Sequence, residues 1–222
     1  MFKFVPMANK ELTLFLESLL SENRKARIEK VMEERTNFLT VAIQDVYQLH
    51  NTSAVLRSCD VFGIQNLHVI EERNRKKIDR EIAMGAQKWV DVHRYTTTKE
   101  CVDLLKRDYR IVATCPNRGI PFQEYELQEP AALFFGTEKE GLSDEIIDQA
   151  DTLVHIPMFG FTQSLNISVA AAIMLQEFTF RMRKEHLPWR LSQEDKEQKK
   201  LEWVKKNFKN VQQLIDQFYA SH

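Results

Sequence analysis

The sequence predicts an α/β domain built on a parallel sheet and placed between two helical ends. From Leu39 onward, short apolar runs alternate with segments of helical periodicity, and this alternation is typical of βαβ units. The first unit has a strand at 39–46, a helix from Asn51 to Phe62 and a second strand at 67–70, with Gly63 as the helix stop. Because such a connection joins parallel strands, we expect a right-handed crossover.

The alternation continues to residue 182 and divides the chain into three segments. We expect an N-terminal helical extension at 1–36, the α/β domain at 37–182 and a basic C-terminal helical extension at 183–222. Residues 10–36 are expected to be helical, with a charged segment that starts at Ser21, and residues 192–220 are expected to form one long helix. The domain's remaining strands and helices follow in order: a helix at 77–86, a strand at 89–95, a helix at 99–107, strands at 110–114 and 131–135, a helix at 144–149, a strand at 152–156, and an alanine-rich helix from Ser164.

Composition is that of a globular, cytoplasmic protein. Of the 222 residues, 43% are hydrophobic and 28% are charged. No apolar run approaches the ~20 residues needed to cross a bilayer, and the first residues lack the apolar core of a signal peptide. The cysteines are odd in number and widely spaced, which indicates a reducing compartment and no metal site. We therefore expect a cytoplasmic protein with no membrane partner.

The charge is unevenly distributed, although the net charge is only −1. Residues 181–210 hold ten Lys/Arg against five Asp/Glu, whereas residues 111–180 hold two against ten. A further basic cluster lies between Arg73 and Arg80. Basic ends and a basic loop around an acidic centre suit a polyanion bound at the periphery. Solvated helix faces explain the same counts, so both interpretations stay open.

The first candidate motif, N-T-S-A-V-L-R, begins at Asn51 and ends at Arg57. Val55, Cys59 and Phe62 fall on one stripe that can face the sheet, and Arg57 points away from it. A guanidinium near the carboxyl edge of a sheet is suited to gripping a phosphate or carboxylate. An exposed arginine in a surface ion pair is the alternative.

The second motif, F-F-G-T-E-K-E-G-L-S, follows the strand at 131–135. Its two glycines invite comparison with a P-loop, but Leu142 stands where that motif requires Lys-Ser/Thr. Glu138 and Glu140 would repel a triphosphate, and no G-x-G-x-x-G follows any strand, so neither an NTPase nor a dinucleotide site is expected. The alternative is a tight turn with Ser143 as N-cap.

The third motif, I-P-M-F-G-F-T-Q-S-L-N-I-S-V-A, joins the last strand to the alanine-rich helix. Ser164 and Asn166 can present a hydroxyl and an amide where the loop meets the helix, and Ser164 is a candidate N-cap. Backbone groups of Ile156, Met158 and Leu165 can enclose a flat heterocycle. The alternative is a strand, a loop and a buried helix without function.

Together the three motifs resemble the signature of the SPOUT superfamily, in its TrmH branch of RNA 2′-O-ribose methyltransferases. The resemblance covers residues 39–181, and the wording of the third motif is most similar to that of the tRNA guanosine-18 methyltransferases. It implies a parallel-sheet fold with a deep C-terminal trefoil knot, S-adenosyl-L-methionine as cofactor, and a homodimer whose active site takes residues from both subunits. The positions matching the family's cofactor pocket, largely through backbone groups, are Thr114, Gly136, Ile156, Met158 and Leu165.

The resemblance also assigns catalytic positions. Arg57 matches the family's catalytic arginine, and the residues that order it and the substrate ribose match Asn51, Glu138, Ser164 and Asn166. Since a guanidinium stays charged near neutral pH, we expect Arg57 to position a phosphate and stabilise the developing alkoxide rather than to remove a proton.

The expected function is therefore methylation of the 2′-hydroxyl of a tRNA guanosine at position 18 of the D-loop, with tRNA and not DNA as partner. An rRNA 2′-O-methyltransferase shares the three motifs but often carries a compact N-terminal RNA-binding domain, for which residues 1–36 are too short and too helical. A non-catalytic RNA-binding or assembly protein with this fold is the other alternative. The presence of Arg57, Ser164 and Asn166 argues against it.

Overall fold

The computed structural model describes residues 7–46, 48–72, 80–137 and 139–220. They form two compact units, one made of Thr36–Trp189 and one made of Met1–Arg35 together with Arg190–His222. Within the described residues, no helix is long and apolar enough to cross a membrane.

A sheet of seven strands, all paired in parallel, forms the centre of the Thr36–Trp189 unit. The expected α/β class and parallel sheet are confirmed. The strand order is β3-β2-β1-β6-β4-β7-β5. In chain order the strands are β1 (Leu39–Gln44), β2 (Asn66–Ile70), β3 (Asp91–Tyr95), β4 (Arg110–Thr114), β5 (Ile120–Pro121), β6 (Ala131–Phe135) and β7 (Thr152–His155).

The sequence analysis identified six of these strands and missed β5. This strand has only two residues, Ile120 and Pro121, and pairs with β7 alone. A two-residue strand that ends in proline leaves no periodicity to detect, and proline is tolerated here because β5 is an edge strand.

Helices cover the sheet on both faces. In the described part of this unit they are α3 (Leu49–Phe62), α4 (Arg80–Ala83), α5 (Thr98–Leu105), α6 (Asp144–Gln149) and α7 (Ile167–Lys184). The core has two layers: Leu39, Val41 and Ile43 on one face of β1 join the α3 and α7 side chains in one cluster, and Ala42 on the other face joins α5 and α6. All of β1 is buried, as expected for the central strand of a sheet covered on both faces.

Two helix starts differ from the sequence-based expectation. The α3 helix begins at Leu49, after Gln48, so Asn51 lies inside the first turn and is not the cap. The α7 helix begins at Ile167 rather than near Ser164, because the Asn166 side chain accepts from the Ser168 backbone N–H and caps the helix. Both asparagines therefore lie at the start of a helix, Asn51 within the first turn and Asn166 at the cap. A capping pattern in the sequence does not distinguish these two positions.

The unit formed by the two chain ends consists of helices. The segment expected to be helical over 10–36 contains two helices, and the one long helix expected over 192–220 is divided in two. Ser21 caps a new helix inside residues 10–36. Near the C-terminus, Asn207 donates to the Trp203 carbonyl at 2.7 Å and so satisfies a carbonyl where the helix stops. The helices are α1 (Met7–Ser18), α2 (Glu22–Glu33), α8 (Gln193–Lys205) and α9 (Val211–Ala220).

Part of the positive charge of α8 is neutralised inside this unit. Lys200 pairs with Glu17 of α1 at 2.9 Å, and Lys196 pairs with Glu33 of α2 at 2.7 Å. Pairs of this kind contribute about 0–1 kcal/mol each when they are exposed, but they also remove charge from the surface that faces solvent. The excess of lysine in the sequence therefore overstates the positive charge that α8 offers to a polyanion.

Candidate functional site

A cavity of about 380 Å³ opens where the neighbouring strands β6, β4 and β7 end. Its volume falls within the ~300–1,000 Å³ range of small-molecule sites. Its position at the carboxyl edge of a parallel sheet is where open α/β proteins bind ligands. The lining includes all five residues predicted to bind cofactor, namely Thr114, Gly136, Ile156, Met158 and Leu165.

One wall of the cavity is a closed turn after β6. Thr137 and Gly141 exchange two backbone hydrogen bonds of 3.0 Å. A side chain at position 136 would place its Cβ 2.0 Å from the Gly141 carbonyl carbon, and Gly141 itself has φ +72°. Both positions therefore require glycine, one for close approach and one for backbone conformation. Glu138, predicted in the catalytic set, lies outside the described residues, as does the basic cluster at 73–79.

The opposite wall is the loop from β7 to α7, which contributes backbone groups. No hydrogen bond joins the backbone of Met158 or Leu165 to another group in the described part of the chain. These polar groups are available to a heterocycle with its own donors and acceptors. Ser164 lines the same cavity and is half-buried.

Cys115 also lines the cavity, but it does not act as a nucleophile there. Burial raises the pKa of the Cys115 thiol, and the opposing effect of Arg118 is smaller. The thiol therefore stays neutral near pH 7, and a neutral thiol is a weak nucleophile. Among the described residues, no group of His, Cys, Asp and Glu side chains is arranged to hold a metal ion.

Asn51 and Asn166 connect the first and third motifs through one hydrogen bond. The Asn166 Nδ2 group donates to Asn51 Oδ1 at 3.0 Å, and Asn166 Oδ1 accepts from the Ser168 backbone N–H at 2.8 Å. The backbone donor fixes which side of the Asn166 amide carries oxygen. The bond ties the first turn of α3 to the first turn of α7, and Asn51 is only 4% exposed.

Arg57 is exposed on α3, six residues beyond Asn51 and about 9 Å along the helix axis. Within the described part of the chain its guanidinium has no hydrogen bond and no ion pair. The described residues therefore give no support to the alternative in which Arg57 forms a surface ion pair. Since a guanidinium keeps its charge at neutral pH, Arg57 presents a cationic fork to solvent or to an anionic ligand.

Two features of the site escaped the sequence analysis. Gln44, at the end of β1, binds Ser143, two residues after Gly141 of the glycine turn. The available signal in the sequence was Gln44 itself, a polar residue at the end of an apolar strand. Phe159 and Phe161, on the loop between β7 and α7, are fully exposed. Two large aromatic residues on either side of Gly160 were the signal for them.

The fold and the site define a class: an α/β enzyme that binds an organic cofactor at the carboxyl edge of its sheet. The exposed Arg57 on α3 is not among the residues that line the cavity. The chain belongs to the SpoU rRNA methylase family, whose family model matches residues 38–176. The resemblance to the TrmH branch, drawn from the three motifs, is confirmed.

The similarity to known proteins extends beyond residues 38–176, which the family model matches. A tRNA (guanosine(18)-2′-O)-methyltransferase of Borreliella burgdorferi is 38% identical over 206 residues, which is 90% of this chain and 94% of that protein. The crystal structure of the Aquifex aeolicus TrmH/SpoU tRNA modifying enzyme superposes with a TM-score of 0.76 at 31% identity, covering 84% of this chain and 97% of the other.

A second structure shares the fold at lower identity. It is the SpoU methyltransferase AviRb of Streptomyces viridochromogenes in complex with the cofactor AdoMet, with a TM-score of 0.58 and 23% identity, covering 70% of this chain and 62% of the other.

Proposed function

We propose that this chain transfers a methyl group from S-adenosyl-L-methionine to the 2′-hydroxyl of guanosine 18 in tRNA. The observation that carries the proposal is the match to the Borreliella burgdorferi tRNA (guanosine(18)-2′-O)-methyltransferase over 90% of this chain, which takes in sequence at the helical ends as well as the family domain. The cavity and the exposed Arg57 supply a cofactor site and a cationic group for that reaction.

The residues around the cavity fit this cofactor. Backbone groups of Met158 and Leu165, which make no hydrogen bond within the described residues, suit the donor and acceptor edge of an adenine, and Ile156 adds apolar surface. On the opposite wall, Gly136 and Gly141 place no side chain where the turn folds back on itself. When bound, S-adenosyl-L-methionine supplies an electrophilic methyl group on a sulfonium. The residues that line the cavity would hold it in one position relative to the acceptor oxygen.

Arg57, in this proposal, grips a phosphate next to the target nucleotide and stabilises negative charge that develops on the 2′-oxygen. The bond between Asn51 and Asn166 holds the start of its helix against α7. Ser164, at the cavity wall, and Glu138 complete the set that orders the ribose. A lysine at position 57 keeps the charge but loses the fork. If Arg57→Lys turned over at a near-normal rate, this positioning role would be wrong.

We further propose that the end of the α/β domain forms the family's trefoil knot. In support, β7 lies between β4 and β5, although β5 precedes β7 by about thirty residues in the chain. The chain that leaves β4 thus passes to the outer side of β7 before it returns to form β6. A strand inserted inside an earlier loop is the arrangement that a knot needs.

A homodimer in the cytoplasm, with residues of both subunits at each active site, is also part of the proposal. Val169, Ile173 and Phe180 are exposed on α7 at spacings of four and seven residues, and so form one apolar stripe. A second copy of the helix can cover this stripe around a two-fold axis, in the self-complementary way that symmetric dimers use.

The helical unit supplies the docking surface for tRNA in this proposal. Lys206 and Lys209 are exposed between α8 and α9, and no ion pair engages them within the described residues. They are better placed to meet phosphates than Lys196 and Lys200, which are paired with glutamates. Replacing Lys206 and Lys209 by glutamine should weaken tRNA binding and flatten the dependence of log K on log salt by about 0.9 for each phosphate that the variant no longer binds.

The function is tested with labelled S-adenosyl-L-methionine and unmodified tRNA transcripts that carry guanosine or adenosine at position 18. Digestion and mass spectrometry identify the methylated nucleoside. The proposal predicts 2′-O-methylguanosine from the guanosine transcript only. Transfer to ribosomal RNA fragments and to neither tRNA would assign the chain to an rRNA activity, and no transfer to any RNA would favour a non-catalytic role.

A further inference from the structure

Gln44 ends the central strand β1, and its side chain is 5% exposed although it is polar. Its Oε1 accepts from the backbone N–H of Ser143 at 2.9 Å. Its Nε2 donates to the hydroxyls of Ser143 at 2.9 Å and Thr98 at 2.8 Å. Because a backbone N–H can only donate, the orientation of the amide is fixed, and all three contacts follow from it.

We propose that Gln44 is a positioning residue for the cofactor site, since it anchors the glycine turn that forms one wall of the cavity. Ser143 lies two residues after Gly141, which closes that turn by its bonds with Thr137. The turn is also held by the buried Leu142, and the Gln44 bonds add side-chain hydrogen bonds from β1 at the next residue. The two bonds between Gln44 and Ser143 therefore set where Gly136 and Gly141 stand relative to the end of β1.

The same residue connects two motifs. The backbone that follows Gln44 leads directly into α3 and Asn51, while its side chain holds the end of the second motif. The bond between Asn166 and Asn51 ties in the third motif. Three amide side chains, those of Gln44, Asn51 and Asn166, thus join the three motifs at one edge of the sheet. This inference rests on the proposed cofactor, but not on the identity of the RNA.

If Gln44 only stabilised the fold, its replacement would affect cofactor binding no more than the replacement of another buried glutamine. The chain offers such a glutamine as a matched control. Gln65 is 1% exposed in the same unit and donates to the Trp89 carbonyl and to Asp91, both at 3.0 Å. It precedes β2, at the edge of the sheet opposite the carboxyl ends. Gln65→Leu therefore removes a comparable buried amide without touching the cavity.

The test measures binding of S-adenosylhomocysteine by titration calorimetry, and exchange of the Ser143 amide hydrogen, in four variants of the full chain. Gln44→Leu should weaken binding on the order of tenfold or more and speed Ser143 exchange, while Gln65→Leu lowers the melting temperature and leaves binding within about twofold. Thr98→Val keeps both bonds to Ser143 and should bind nearly as wild type.

Gln44→Glu is the conservative rescue, because a carboxylate accepts from the Ser143 N–H and from both hydroxyls. Its binding should return to within about threefold of wild type. Wild-type binding by Gln44→Leu, or equal losses in Gln44→Leu and Gln65→Leu, would overturn the proposal. Because the readout is cofactor binding, it stands apart from the proposed RNA chemistry: methyl transfer to no RNA with Gln44-dependent binding would sink the function and leave this inference intact.

Discussion

Asn166 has two roles, since it caps α7 and also forms the hydrogen bond to Asn51 that connects the first and third motifs. Two different replacements of Asn166 distinguish these roles. Its Oδ1 accepts from the Ser168 N–H at 2.8 Å and from the Ser168 hydroxyl at 2.6 Å, so it caps α7. Its Nδ2 donates to Asn51 Oδ1 at 3.0 Å. Alanine removes both functions. Aspartate keeps the acceptor that caps the helix but has no N–H to offer Asn51.

The size of each effect follows from these contacts. Loss of an N-cap costs about 0.5–2 kcal/mol. Removal of the donor to a buried amide oxygen costs about 1–3 kcal/mol. Asn166→Ala should therefore lower the free energy of unfolding by about 2–4 kcal/mol. Asn166→Asp should lose only the second contribution, and its negative charge at the start of α7 returns some stability through the helix dipole.

Catalytic efficiency should depend on the hydrogen bond between Asn166 and Asn51 and not on the capping of α7. If the bond to Asn51 holds α3 and its Arg57 in place, both variants should lose at least tenfold in kcat/KM for tRNA. Urea unfolding and single-turnover methylation of a tRNA transcript measure the two quantities. An Asn166→Asp variant that is as active as wild type would refute the view that the bond to Asn51 organises the site.

Three further predictions concern other parts of the molecule. Burial, and to a smaller extent the stacked His93, lower the pKa of His68 to about 3, from the ~6.5 of an unfolded chain. As the pH falls, the unfolded state therefore binds the proton first, and the free energy of unfolding should fall by up to about 1.4 kcal/mol per pH unit below pH ~6.5. In urea titrations between about pH 6.5 and 5, His68→Gln should flatten this slope. Ile173→Asp on α7 should convert a dimer to a monomer in light scattering, and an unchanged mass would remove this stripe as the interface. Replacing Phe159 and Phe161 by alanine should raise KM for tRNA about thirtyfold or more with cofactor binding unchanged, because exposed rings give about 1–3 kcal/mol per stacked base. A normal KM together with a changed mass would assign the rings to a subunit contact.

Much of the α/β unit was predictable from sequence because apolar periodicity reports burial. The strands at Arg110–Thr114 and Ala131–Phe135 and the helix at Asp144–Gln149 have the expected bounds. Long helices were less predictable. The helix expected over 192–220 is broken by a side-chain bond from Asn207 to a main-chain carbonyl, and periodicity does not register such a bond.

The candidate site was predictable in composition and less so in geometry. The second and third motifs pointed to residues that line one cavity, because strand ends of a parallel sheet meet at one edge. Asn51 and Arg57 of the first motif are not among the lining residues. The motifs could not show that Asn166, and not Ser164, caps α7, since both residue types are good caps and only the tertiary partner decides. The motifs do not include Gln44, whose partners lie 54 and 99 residues away in the chain, and the sequence signalled it only as a polar residue that ends an apolar strand.

The central claim is that the acceptor is one ribose hydroxyl, on guanosine 18 of tRNA. A tRNA assembled with a single 2′-deoxyguanosine at that position lacks only this oxygen. Incubated with the protein and labelled S-adenosyl-L-methionine beside the all-ribose tRNA, it should bind equally well and accept no methyl group. Methylation of the deoxy-substituted tRNA to the normal extent would contradict the account, because the acceptor would then be another atom.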